Sequence, residues 1–198
     1  MKIYLLMTMI CVSSFGASIT KMSAGGASIP DNDPAGVTGD LIFADARLIT
    51  GNLSISINSL SHPWIGDLSA TLTHVGTGTT VVLFQRPGGA DCGADLDGTY
   101  AFSDAGASIL PCQVPTISPG IYRASDATNM AAILSSAFNG QMAGGTWRLF
   151  VSDQDAVATG SFASWTLHAD VDSIANPEPT TLAMLATGLG ILVAHRRR

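Results

Sequence analysis

A chain of 198 residues with fifteen acidic and nine basic side chains has a formal charge of -6, which excludes nucleic acid as a natural partner. Hydrophobic residues make up 46% and charged residues only 12%, enough for one folded core plus apolar terminal segments. Three cysteines and four histidines are scattered along the chain, and neither set shows the ligand spacing of a zinc site.

The chain opens with Met1-Lys2, then the apolar run Ile3 to Val12, then small residues from Ser13 to Ser18. That is the charged, apolar and cleavage-zone order of a secretory signal peptide, which places an N-terminal signal helix within residues 1-24 and a cleavage site between Gly16 and Ala24. Thr8-Met9-Ile10 lacks the small residues a lipoprotein signal places before its cysteine, so Cys11 leaves with the leader. Residues 25-175 then form one β domain of ordinary size, about 150 residues. It keeps four arginines, Arg47, Arg86, Arg123 and Arg148, against fourteen aspartates from Asp31 to Asp172, a net charge of about -10. The only glutamate is Glu178. Aspartate without glutamate or lysine suits turns between strands better than helices. It also suits a secreted protein exposed to calcium, although turn chemistry accounts for most of these residues.

Within the domain, Leu53, Ile55 and Ile57 alternate with polar residues, Leu68, Ala70 and Leu72 repeat the pattern, and Thr79 to Phe84 is β-branched. Trp147, Leu149 and Val151, and then Trp165, Leu167 and Ala169, continue it. Period two in short runs between Gly and Pro predicts an all-β sandwich or jelly roll. Asp91 to Pro119 is rich in Asp, Gly, Ala and Pro and holds Cys92 and Cys112. It is expected to be an irregular excursion, peripheral to the sandwich and stapled by a Cys92–Cys112 disulfide; the alternative is two free buried thiols. Ser125 to Phe138 is the single helix candidate, capped by Ser125 or Asp126, with Met130, Ile133, Leu134 and Phe138 on one face.

After the Asn176 to Pro179 linker, an uncharged stretch from Thr180 to Ala194 leads to Arg196-Arg197-Arg198. A helix there reaches about 24 Å across a hydrocarbon core near 30 Å, short for a permanent anchor, with the arginines cytoplasmic. Pro177-Glu178-Pro179, the membrane-spanning segment 180-194 and the three arginines together resemble a PEP-CTERM sorting tail over 176-198. The resemblance implies that an exosortase in the inner membrane is the partner, that the tail is removed near Pro177-Glu178-Pro179, and that the transiently anchored domain reaches the cell surface or the extracellular matrix.

Three further motifs converge. They are Ile29-Pro30-Asp31-Asn32; His62-Pro63-Trp64-Ile65-Gly66-Asp67-Leu68; and Gly145-Thr146-Trp147-Arg148-Leu149-Phe150-Val151-Ser152-Asp153, running on through Gly160-Ser161-Phe162 to Trp165-Thr166-Leu167. In this order they resemble the P domain, or Homo B domain, that follows the catalytic domain of kexin- and furin-like convertases. The resemblance implies a jelly-roll β-sandwich with scaffolding roles for Trp147 and Trp165, while Trp64, on a turn, is open to contact. Where the family usually has an aspartate, this chain has Ala158. A calcium site built from Asp67, Asp153 and Asp155 is one expectation; turn-stabilising carboxylates are the other.

No catalytic residues are predicted. His62, His74, His168 and His195 stand apart from any Gly-x-Ser-x-Gly elbow, and a nucleophile needs a positioned base and an oxyanion hole. The expected function is that of a non-catalytic surface or matrix protein that binds polysaccharide or another protein. The alternative is an accessory module working with a separate subtilisin-like serine endopeptidase.

Overall fold

The computed structural model describes residues 16-173 apart from 127 and 129. The signal helix and the sorting tail, with Pro177-Glu178-Pro179 and Arg196 to Arg198, lie outside them. Among the described residues no helix is long and apolar enough to cross a membrane.

Twelve strands form in chain order: β1 (Ala17–Met22), β2 (Ala27–Ile29), β3 (Asp33–Phe43), β4 (Ile49–His62), β5 (Leu68–His74), β6 (Thr79–Gln85), β7 (Asp95–Ser103), β8 (Thr116–Ile117), β9 (Gly120–Tyr122), β10 (Gly145–Asp153), β11 (Gly160–Phe162) and β12 (Ser164–Val171). One sheet has the order β3-β10-β5-β6. The other runs β1-β12-β4-β11-β2, with β7 also on β4 and β8 and β9 parallel to β7. Their inner faces form an all-β sandwich, as the alternation predicts. Trp147, Leu149, Val151, Ala70 and Leu72 from the smaller sheet and Ile55, Ile57, Tyr100, Phe102, Trp165 and Leu167 from the larger are all fully buried. Phe84 on β6 meets Phe102 on β7 at a ring separation of 5.5 Å.

Parity along β4 decides where His62 points. Leu53, Ile55 and Ile57 face inward at odd positions, and continued alternation would turn His62 to solvent. Ser59 instead adopts φ 51°, the register against β7 shifts between Ile57 and Leu60, and after this bulge Leu60 and His62 are the buried residues. An extra residue in one strand reverses the face its successors present. β10 keeps an unbroken register against β5 as far as Asp153, the irregularity against β3 between Val151 and Asp153 notwithstanding, and Asp153 continues the inward face of Trp147, Leu149 and Val151.

Three expectations are corrected. Asp91 to Pro119 is not an irregular excursion, because β7 lies within it, paired along β4. Leu96, Tyr100 and Phe102 alternate inward while Asp95, Asp97 and Thr99 face out, so the aspartates mark the solvent face of a strand. The helix over Ser125 to Phe138 shrinks to α1 (Leu134–Phe138). Asp126 Oδ1 accepts the Thr128 and Met130 amides and closes a turn, whereas the first amides of α1, on Leu134 and Ser135, donate to Asp104. Leu134 and Phe138 are buried, but Met130 and Ile133 are exposed. Finally, β1 falls inside the segment taken as leader. Ala17 to Met22 pair with Val171 to Thr166, and Ser23 exchanges hydrogen bonds with Trp165, N–H to carbonyl at 2.8 Å and hydroxyl from amide at 2.9 Å. The folded unit therefore spans Gly16 to Asp172.

Candidate functional site

β4 ends at His62 and the chain turns through Pro63 and Trp64 into a single 3-10 turn, Ile65–Asp67, before β5 begins. The turn is built against the loop after β6. Ile65 and Gly66 donate to the carbonyls of Ala94 and Cys92, each at 3.0 Å. A Cβ on Gly66 would lie 2.2 Å from the Gly89 carbonyl, so this position tolerates no side chain. The loop is in turn fixed by the Cys92–Cys112 disulfide, with Cα atoms 5.5 Å apart. Cys92 is buried among the core residues, next to Ala94 and Leu96. The predicted pairing forms, but it braces the core rather than a peripheral loop.

Behind the turn lies a tie between the two sheets. His62 Nε2 and Asp153 Oδ2 are 3.0 Å apart with both side chains wholly buried. Trp64 N–H donates to His62 Nδ1 at 3.1 Å, so the ring proton sits on Nε2 and is donated to Asp153. Asp153 Oδ1 accepts the Asp155 amide at 3.1 Å, which draws the loop after β10 toward the turn. Arg86, in a left-handed conformation with φ 44°, reaches across from β6. Its Nε donates to the Gly66 carbonyl at 2.8 Å and its terminal nitrogen to Asp155 Oδ2 at 2.9 Å.

These elements leave an open cleft of roughly 440 Å³ between Pro63–Trp64 and the Asp155–Ala158 loop, with Asp67 and Ala90 also lining it. Trp64 is 41% exposed. Its indole N–H is held by the Ala90 carbonyl at 2.7 Å, and its six-membered ring lies so close over Gly93 that a Cβ there would come within 2.8 Å. The ring is thus a fixed wall with contact area left over, as its turn position suggested. Across from it Val157 is 96% exposed at φ 90°, an uncommon conformation for a β-branched residue. Burial, followed by the Asp153 and Asp155 carboxylates, raises the Asp67 carboxyl above its usual value, with Arg86 opposing.

The three aspartates named from the sequence do come together, but not as a ligand set. Asp153 is engaged by His62 and Asp155 by Arg86, and among the described residues no group of three or more His, Cys, Asp or Glu side chains is placed to hold a metal ion. Ala158 occupies the cleft wall. Trp147 and Trp165 are wholly buried, as expected of scaffolding. Arg86 and the His62–Asp153 tie were not anticipated; the inward parity of Asp153 was the available signal.

The remaining histidines are also engaged. His74 is held by Gly144 and Thr77, and His168 by Thr20 and Asp170. No ring nitrogen of the three described histidines meets a serine, and no catalytic domain is evident among the described residues. The buried His62–Asp153 pair joins the two sheets of the sandwich beside the open cleft. The chain belongs to the proprotein convertase P-domain family, whose model matches residues 52–169. No curated protein matches it. Among solved structures it is similar to the serine protease of Aeromonas sobria in complex with its chaperone ORF2, at 16% identity and a TM-score of 0.48 over 80% of this chain and 27% of that one. It is also similar to the serine protease of Aeromonas sobria itself, at 17% identity and a TM-score of 0.46 over 79% and 27%. The chain spans about a quarter of the length of these proteases.

Proposed function

We propose that this chain is an exported, non-catalytic surface or extracellular-matrix protein whose P-domain sandwich, a jelly roll, acts by binding. The observation that carries this reading is the cleft itself: a rigid, partly exposed tryptophan faces an exposed valine above buried Asp67, while the three described histidines are tied into structural hydrogen bonds. The signal-like opening and the tail of Pro177-Glu178-Pro179, apolar segment and Arg196 to Arg198 support delivery through the inner membrane, with exosortase processing to the surface. Intact-mass measurement of the exported form should show loss at both ends. Glu178→Ala should hold the precursor in the membrane fraction, and unchanged processing would defeat the sorting assignment.

Family membership supports a second reading, in which the domain assists a separate subtilisin-like serine endopeptidase. Exported protein immobilised and exposed to secreted proteins and matrix glycans separates the two. Retention of a serine endopeptidase whose activity or melting temperature then rises favours the accessory role; retention of glycan or of other proteins favours the matrix role.

A further inference from the structure

The Asp67 carboxylate is the one group in the cleft that no structural bond explains. The residue is 4% exposed and lines the cleft, yet among the described residues no hydrogen bond reaches its side chain, whereas Asp153 and Asp155 are both engaged. A turn-stabilising aspartate would accept neighbouring amides, as Asp45 and Asp126 do here. A buried, unpaired carboxylate weakens the fold, and such groups persist where a ligand supplies the missing charge.

The surroundings select the ligand. Asp67 and Asp155, the polar side chains of the lining, offer acceptors and no donors when ionised, and the Trp64 indole N–H is already donated to the Ala90 carbonyl. A sugar needs donors as well as acceptors; a bare metal ion needs several free oxygens. The rest of the wall is apolar: Pro63, Trp64, Val157 and Ala158 among others. A cation on a hydrocarbon stem matches both parts, since a tryptophan face attracts ammonium and guanidinium groups and the stem can lie along the apolar wall. A folded unit with one lysine and four arginines against fourteen aspartates steers basic partners toward itself.

We propose that the cleft between Trp64 and the Asp155–Ala158 loop is a docking pocket for one lysine or arginine side chain of a protein partner, with the cationic head on Asp67 and the stem against Trp64 and Val157. The proposal rests on the domain being a binding module. The test is a nuclear magnetic resonance titration of isotope-labelled exported protein with acetyl-Gly-Lys-Gly-amide, following the Trp64 indole and Val157 amide resonances. These should move saturably while the indole signals of buried Trp147 and Trp165 stay fixed. Acetyl-Gly-norleucine-Gly-amide, which keeps the stem and lacks the charge, should bind at least tenfold more weakly. Asp67→Asn should weaken lysine binding at least tenfold, and Trp64→Ala, at an exposed position, should weaken it severalfold as read at Val157. Equal binding of the two peptides would overturn the proposal, and that comparison needs only the unsubstituted protein. Unchanged affinity in a folded Asp67→Asn protein would do the same, as would movement of these resonances by calcium chloride or a cello-oligosaccharide but not by the lysine peptide. If the lysine peptide fails while immobilised protein still retains a partner, the pocket is refuted and the binding-module reading stands.

Discussion

Replacing Asp153 with alanine removes the acceptor of two hydrogen bonds at once, one from wholly buried His62 Nε2 and one from the Asp155 amide. A hydrogen bond to a charged group contributes about 1.5–3 kcal/mol, and an unpaired buried donor adds a penalty of its own. The expected loss is about 3–5 kcal/mol, in the range seen when one partner of a buried pair is deleted. For a domain of this size that corresponds to a melting temperature lower by roughly 6–20 °C. Asp153→Asn should fall between, at about 1–3 kcal/mol, because one amide oxygen can still accept from His62 while the amide nitrogen cannot accept from Asp155. The control is Asp40→Ala, which breaks the Arg148–Asp40 pair, whose side chains are 43% and 39% exposed; surface pairs of this kind contribute about 0–1 kcal/mol. Urea unfolding and calorimetry of the three variants measure the order. Equal midpoints for Asp153→Ala and Asp40→Ala would refute the inter-sheet tie.

The same geometry sets three other outcomes. The raised carboxyl of Asp67 makes its protonated form the one the fold prefers, so its contribution is present below the unfolded value near 3.8 and is lost as pH rises through the higher folded value. Asp67→Asn should therefore melt higher than the unsubstituted protein at neutral pH, with the gain vanishing in acid; a pH series of thermal melts that shows a constant or opposite difference contradicts this. Reduction of Cys92–Cys112 should lower stability by about 3 kcal/mol from the 20-residue separation alone, and by more if near-ultraviolet circular dichroism also loses core packing; an unchanged midpoint would mean the loop is peripheral after all. Calcium and magnesium at equal ionic strength should shift the melting temperature alike, since Asp153 and Asp155 already have partners. A calcium-specific rise abolished by Asp67→Asn would restore the three-aspartate site.

Period-two alternation made most of the sandwich legible, because a strand with one buried face writes its pattern directly into the chain. β5, β10 and β12 all carry it, and the wholly buried Trp147 and Trp165 obey it. β7 was hidden by composition. Asp95, Asp97 and Gly98 look like loop chemistry until Leu96, Tyr100 and Phe102 are seen on the opposite face. His62 was hidden by the bulge at Ser59, which no local propensity announces and which only the pairing with β7 reveals. Within the cleft, Trp64 and the three aspartates could be singled out from their motifs. Which carboxylates had partners could not, since Arg86 reaches Asp155 across 69 positions of sequence and His62 reaches Asp153 across 91.

If the chain is exported as proposed, β1 ties removal of the leader to folding. Six residues, Ala17 to Met22, close the flank of the larger sheet against β12, and Ser23 then locks onto Trp165. A leader peptidase cutting at the late end of the small-residue window, toward Ala24, would amputate this strand and leave the amides and carbonyls of β12 as a raw edge open to pairing with a second chain. A cut beside Gly16 delivers the strand intact. On the proposed export route, the position of one scissile bond would thus decide whether the domain arrives with its sheet closed or with a templating edge, making the peptidase a participant in assembling the sheet.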